Sequence, residues 1–81
     1  MPLYTEEDRV KACHICDVEI SRIREACTPD QVNEKGWLAL GYIQGIYALK
    51  AVSIADHCQL IKKLAAAEAQ RLADLRAISV R

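Results

Sequence analysis

The sequence predicts an all-α protein of three helices, arranged as a three-helix up-down-up bundle or as a helical hairpin that oligomerises. N-cap sequences occur at Thr5, Thr28 and Ser53, and apolar residues follow each of them mainly at steps of three and four. The predicted connections are only a few residues long, so that successive helices turn back on each other. All 81 residues are expected to form one helical domain, 1–81.

The first helix is predicted over residues 6–26. Thr5 precedes three acidic residues, a pattern typical of a capping box, in which hydroxyl and carboxylate groups satisfy free backbone amides and acids lie at the positive end of the helix dipole. One face of this helix is apolar, and its members are Val10, Cys13, Cys16, Ile20, Ile23 and Cys27.

The second helix is predicted over residues 29–52, because Thr28 supplies an N-cap hydroxyl and Pro29 suits the first helical position. Gly36 costs about 1 kcal/mol relative to Ala inside a helix, so we expect a bend or a break there. The glycines at positions 41 and 45 are four residues apart. They are expected to mark a side that packs closely against another backbone, opposite the side of Trp37 and Tyr42.

The third helix is predicted over residues 54–78, with Ser53 and Asp56 as the two partners of a capping box. Its apolar stripe, which we expect to face the bundle or a dimer partner, is widened by Leu60, Leu64 and Ile78. The members of the stripe are Ile54, Cys58, Ile61, Ala65, Ala69, Leu72 and Leu75.

The composition favours a homo-oligomer that binds neither membranes nor nucleic acids. Apolar residues make up 52% of the chain, but Phe is absent and Ala is frequent, so the core of a single chain would be thin. Eleven basic residues balance eleven acidic ones, which disfavours phosphate binding. No apolar run approaches the ~20 residues needed to span a bilayer, and the acidic start lacks the features of a secretory signal. We therefore expect a cytoplasmic protein with reduced thiols.

Cysteines and histidines raise the alternative of a zinc site. The candidate ligands near one end of the predicted bundle are Cys13, Cys16, His57 and Cys58. Cys27 lies eleven residues beyond Cys16, about 16 Å along a helix, which is too far for the same ion. All four cysteines occupy apolar positions, so we interpret them as buried thiols and predict no metal and no cofactor. A redox switch remains open, although the sequence shows no environment that would lower a thiol pKa.

No catalytic residues are predicted. A histidine that acts as a general base needs a nucleophile or a partner fixed beside it, and neither His14 nor His57 has one in the sequence. The hydroxyl nearest to His57 is that of Ser53, which is explained by its role as an N-cap. We therefore expect a protein that is not an enzyme.

Residues 48–64 could instead form a small helix-turn-helix that binds DNA as a transcriptional regulator, and this is the alternative function. The first turns of its recognition helix would offer Ile54, Ala55 and Asp56, where side chains that read bases are needed. Binding of nucleic acid by this segment is therefore disfavoured.

The predicted binding residues lie on the second helix. This helix is apolar around most of its circumference, more than a small three-helix unit can bury. Tryptophan and tyrosine are also enriched at binding hot spots. We expect an oligomer interface or a protein partner to contact Trp37, Leu38, Tyr42 and Tyr47.

The segment from Trp37 to Ala51, followed by a short break and Ile54-Ala-Asp-His, resembles small helical regulatory proteins of phages and prophages, including antirepressor-like ones. The resemblance implies a protein that binds and disables another protein, such as a host factor or a repressor, often as an oligomer. It supplies no site residues.

Overall fold

The computed structural model describes residues 4–79, and within that range the chain is all-α. The helices are α1 (Glu6–Ser21), α2 (Pro29–Ala48) and α3 (Ile54–Ser79), and a short 3₁₀ helix, Arg22–Glu25, follows α1 directly. The prediction of an all-α protein with three α-helices is confirmed for this part of the chain. The first three residues, on which the expectation about a secretory signal partly depends, lie outside it. None of the helices between residues 4 and 79 is long and apolar enough to cross a membrane.

The two predicted capping boxes are confirmed. At the start of α1, the Thr5 hydroxyl accepts a hydrogen bond from the Asp8 N–H at 3.1 Å, and the Asp8 carboxylate accepts one from the Thr5 N–H at 3.0 Å. Ser53 and Asp56 make the same reciprocal pair at the start of α3, at 3.1 and 3.2 Å. The caps satisfy backbone amides that have no partner inside the helix, which fixes where each helix begins.

The N-terminus of α2 adds a variant of this arrangement. Thr28 accepts a hydrogen bond from the Gln31 N–H at 3.1 Å, as the sequence predicts. The Gln31 side chain reaches back and accepts from the N–H of Cys27 at 2.7 Å. Two free amides are satisfied together, and Pro29 occupies the first position, where no amide is needed.

The predicted end of the first helix is wrong in detail, because α1 gives way to the 3₁₀ helix after Ser21. The Ser21 hydroxyl donates to the Val18 carbonyl at 2.7 Å. Such side-chain bonds compete with the helical ladder, and the last turn of a helix often tightens to 3₁₀ geometry.

α2 ends earlier than the sequence predicts. Lys50 adopts a left-handed conformation with φ of 62°. Its N–H donates to the Tyr47 carbonyl at 2.9 Å, and the Ala51 N–H donates to the Ile46 carbonyl at 3.0 Å. This pair of bonds is a Schellman motif, which closes a helix and usually has glycine at the left-handed position. Because the residue there is lysine, the sequence gives no stop signal.

Gly36 neither breaks nor ends α2, which continues through it as α-helix, so the expected break is wrong. The residue is buried, and a Cβ atom built on it would lie 3.0 Å from Cδ of Glu68 in α3. The absence of a side chain therefore lets the Glu68 carboxylate lie directly against α2.

Contacts define the helix directions. α2 and α3 lie side by side and antiparallel, since Gly36 meets Glu68 near one end and Tyr47 stacks on His57 near the other, with ring centroids 4.3 Å apart. α1 and the 3₁₀ helix run parallel to α3. Their polar contacts with α3 pair Arg9 with Asp56, Asp17 with Lys63, and the Ala26 carbonyl with Arg71.

All helices contribute to one core. Its largest fully buried side chains are Ile23, Ile43, Val32 and Cys16. Its other members are Ile20, Ala26, Ala39, Leu60 and Leu64. Five of these nine residues are isoleucine or leucine, and three, Cys16, Ala26 and Ala39, have small side chains.

The predicted stripe of α3 is wrong in its rotation. Leu60 and Leu64 are buried, although the sequence reading placed them at the edge of the stripe. Four members of the predicted stripe are exposed, namely Ile54, Cys58, Ala65 and Ala69. Turning the helix towards its leucines buries more apolar area than turning it towards cysteine and alanine, and this outweighs the regularity of the spacing.

The prediction of four buried thiols is also wrong in part. Cys16 is buried and Cys13 is half-buried, but Cys27 and Cys58 are exposed. Val10, at the start of the predicted face of α1, is exposed as well. The middle of the predicted apolar face of the first helix is therefore buried, and both ends of that face lie outside the core.

Candidate protein-binding surface

α2 has two apolar sides. One side packs into the core through Val32, Gly36, Ala39 and Ile43. Positions two residues apart lie about 200° apart around a helix, so Leu38 and Gly41 lie on the side away from the core, whereas Ile46, at the edge of that side, is half-buried and packs against the core. We call this second side the α2 face, and its members are Trp37, Leu38, Gly41, Tyr42, Gly45, Ile46 and Leu49.

The α2 face is strongly exposed. The exposed fraction is 73% for Trp37, 60% for Leu38, 46% for Tyr42 and 61% for Leu49. Together they border a shallow groove of about 460 Å³. Scattered exposed apolar residues are ordinary on a protein surface, whereas a contiguous patch of this kind is a candidate contact site.

The two glycines of the α2 face form the floor of the groove. Within the described chain, a Cβ atom built at Gly41 or Gly45 would meet no atom within 4 Å. The expectation that they mark a closely packed side opposite the aromatic residues is therefore wrong for the single chain. They lie beside Trp37 and Leu38, and the spacing of three and four residues from Leu38 to Leu49 could have shown this.

The structure places Trp37, Leu38 and Tyr42 on one surface and Tyr47 on another. Tyr47 is half-buried and stacks on His57 of α3, with an angle of 29° between the ring planes. The sequence already indicated that Tyr42 and Tyr47 lie on different sides, because five residues separate them.

The α2 face contains no charged residue, but each of its ends lies beside one. Glu34 precedes Trp37 by three residues, on the same side of the helix, and Lys50 follows Leu49. Both side chains are exposed. The groove is therefore apolar along its length, with an acid at one end and a base at the other.

Cys13, Cys16 and His57 lie outside the α2 face and are buried or half-buried. Burial raises the pKa of the Cys16 thiol to about 11, and burial together with the nearby Asp56 carboxylate raises that of Cys13. Both thiols are thus poor nucleophiles near neutral pH. The Nε2 atom of His57 is buried without a hydrogen-bond partner. Among the described residues, no three metal-binding side chains come together.

A second groove, of about 590 Å³, lies between α1 and α3. Its charges are mixed, since Lys63 lies 3.3 Å from Asp17, and Arg71 donates to the Ala26 carbonyl at 2.8 Å. Three basic residues and two acidic ones line this groove, namely Arg24, Lys63, Arg71, Asp17 and Asp74.

The relation of α2 to α3 also differs from a DNA-binding helix-turn-helix, whose helices cross at about 90–120°. In this chain the two helices lie side by side along their length, from the contact of Gly36 with Glu68 to that of Tyr47 with His57.

Comparison with protein-family models, with curated proteins and with solved structures gives no match. Function is therefore inferred from the residues of this chain.

Proposed function

We propose that this chain is a protein-binding module, not an enzyme, and that the α2 face is its binding surface. The observation that supports this most strongly is the uncharged apolar groove on a helix whose other side already builds the core. Because the core-facing residues of α2 are satisfied, exposure of the opposite side has no use in the fold of a single chain. Covering it with another protein removes apolar surface from water.

Trp37 and Tyr42 are the expected energetic centre of the surface. Both present large rings beside a floor of glycine backbone, an arrangement in which a partner side chain is enclosed on several sides. Hot spots at protein interfaces are enriched in these two residue types and lie in such enclosed positions.

The proposal includes the way in which the surface is presented and used. The three helices act as an up-down-up bundle that holds α2 rigid, which the polar contacts between α1 and α3 support. The module self-associates in the cytoplasm and regulates by occupying another protein, as an inhibitor or an antirepressor does. Regulation by binding is supported by the apolar groove and by the raised pKa values of Cys13 and Cys16, which make these thiols poor nucleophiles.

The test is affinity capture with purified baits, followed by mass spectrometry of the proteins retained from an extract of the native organism. We expect Trp37→Ala and Tyr42→Ala each to lose the partner that the wild type retains. Ile54→Ala is the matched control, because Ile54 is 67% exposed but lies at the start of α3, outside the α2 face.

Circular dichroism of each bait shows whether the substitution has changed the helix content. If folded Trp37→Ala and Tyr42→Ala baits retain the same partner as the wild type, the α2 face is not the binding surface. If both variants lose their helices, these residues support the fold and the assignment is equally wrong.

A further inference from the structure

We propose that the α2 face binds a second copy of this chain, laid antiparallel, so that Leu38 of each copy lies over Gly45 of the other. This inference rests on the proposed function, because it names the partner of the same surface. Shape, charge, area and overall dimensions of the chain each support it.

Shape supports it because the α2 face has bulk at one end and a gap at the other. Trp37 and Leu38 lie in its N-terminal half, and the space above Gly45 is empty in the single chain. A two-fold axis passing near Tyr42 brings the bulky end of one copy to the open end of the other. A parallel pair would instead set Trp37 against the partner's Trp37 and hold the two helices apart.

Charge selects the same orientation. In the antiparallel pair, Glu34 of each copy comes close to Lys50 of the other, at both ends of the groove. In a parallel pair the acids would meet each other, and so would the bases. Opposite charges at the rim of an interface select orientation, and like charges oppose it.

The available area suits a reversible dimer. From their exposed fractions, the large side chains of the face present on the order of 500 Å² per copy, and pairing would cover roughly 1,000 Å² in total, which is near the lower bound for a specific interface. We therefore expect dissociation in the micromolar range and not a permanent dimer.

The dimensions of the chain point the same way. Its radius of gyration is 14.3 Å, and its principal extents are 56 × 17 × 16 Å. A compact domain of this length has a radius of gyration of about 12 Å. Side-by-side pairing along α2 would thicken this thin rod where its apolar surface is largest.

The first experiment uses the purified chain alone. Trp37 is the only tryptophan in the sequence, so its fluorescence reports on the α2 face. With rising concentration, sedimentation equilibrium should show the mass approaching two chains, and the Trp37 emission should move to shorter wavelength over the same range. A single-chain mass with unchanged emission up to high micromolar concentration would overturn the inference.

The second experiment exchanges charges. Glu34→Lys and Lys50→Glu should each weaken the homodimer by at least about threefold. An equimolar mixture of the two variants should form heterodimers, visible by native mass spectrometry, because opposite charges then meet at both ends of the antiparallel pair. Homodimers of both variants as stable as the wild-type homodimer would rule out this orientation, because in a parallel pair like charges meet before and after each exchange.

The third experiment fills the gap over the glycine. Gly45→Leu should keep or raise the helix content, because the position is open in the single chain, and should weaken the dimer at least about tenfold. Ala65→Leu is the matched control, since it adds leucine at an exposed position of α3 and should leave the dimer unchanged. A dimer equally stable in both variants would place the interface elsewhere.

The outcomes separate this inference from the proposed function. A chain that stays monomeric but retains a different protein in a Trp37-dependent way contradicts the inference and leaves the proposed function standing. A chain that dimerises as described, with no other protein lost from the Trp37→Ala bait, supports the inference and contradicts the regulatory part of the proposed function.

Discussion

Lys50 provides a direct test of how α2 ends. A residue with a Cβ atom in the left-handed conformation, such as Lys50 with φ of 62°, costs about 1–2 kcal/mol. The conformation cannot relax cheaply, because the N–H groups of Lys50 and Ala51 both donate to α2 carbonyls. Glycine removes the steric cost but loses about 0.5–1 kcal/mol through its greater freedom in the unfolded chain. We therefore expect Lys50→Gly to raise the free energy of unfolding by roughly 0.5–1 kcal/mol relative to Lys50→Ala.

The comparison with Lys50→Ala is needed because both variants lose the ammonium group, so that their difference isolates the backbone. In thermal unfolding followed by circular dichroism at one protein concentration, Lys50→Gly should melt about 3–6 °C above Lys50→Ala. Equal or reversed melting temperatures would show that Lys50 is not held in the left-handed conformation. The Schellman assignment would then be wrong.

Three further predictions concern the core and the polar contacts between helices. Gly36→Ala should stabilise the chain by up to about 1 kcal/mol in urea unfolding, because the end of the flexible Glu68 side chain can move aside; a loss of stability would show that it cannot. The free energy of unfolding should fall as pH drops below about 4, because the pKa of Asp56 is lower in the folded chain than its ordinary value. Burial alone would raise this pKa, but the hydrogen bonds at the helix cap and from Arg9 outweigh burial. A carboxylate with a lowered pKa stabilises the fold above its pKa in the unfolded chain, and this stabilisation is lost as pH falls through its pKa in the folded chain. Asp56→Asn should therefore reduce the dependence of the free energy of unfolding on pH below about 4. An unchanged pH dependence would refute the role of Asp56. Ile23→Ala should cost about 2–5 kcal/mol in urea unfolding, since Ile23 is fully buried, and a cost under about 1 kcal/mol would mean that it is not in the core.

The starts of all three helices and the end of α3 could be predicted from the sequence, whereas the ends of α1 and α2 and the rotation of α3 could not. The caps at Thr5, Thr28 and Ser53 act within one turn of chain, so their residue types suffice. The end of α2 depends on a left-handed lysine, a residue type that carries no such signal. The rotation of α3 depends on which side chains its neighbours can enclose, and that is decided by packing across the core.

The candidate surface, too, could be predicted from the sequence only in part. An excess of apolar residues on α2 predicted that some of them would remain outside the core, and Trp37, Leu38 and Tyr42 do. Tyr47 differs because a ring on α3, that of His57, lies within stacking distance, which no local pattern of α2 reveals. Gly41 was placed on the wrong side because glycine spacing alone does not distinguish a closely packed side from an open groove.

The polar contacts between the first helical segment and α3 join residues at nearly constant sequence separation, which has a consequence for how the chain tolerates changes in length. The contacts are Arg9 with Asp56, Asp17 with Lys63, and Ala26 with Arg71. One residue inserted into α1 between the first two contacts would rotate everything on one side of it by about 100°, so that the contacts on the two sides could no longer form together. The turn between α2 and α3 is constrained in a different way, because Lys50 and Ala51 close α2 by hydrogen bonds and Val52 is buried. Natural variation in length should therefore be rare within residues 9–26.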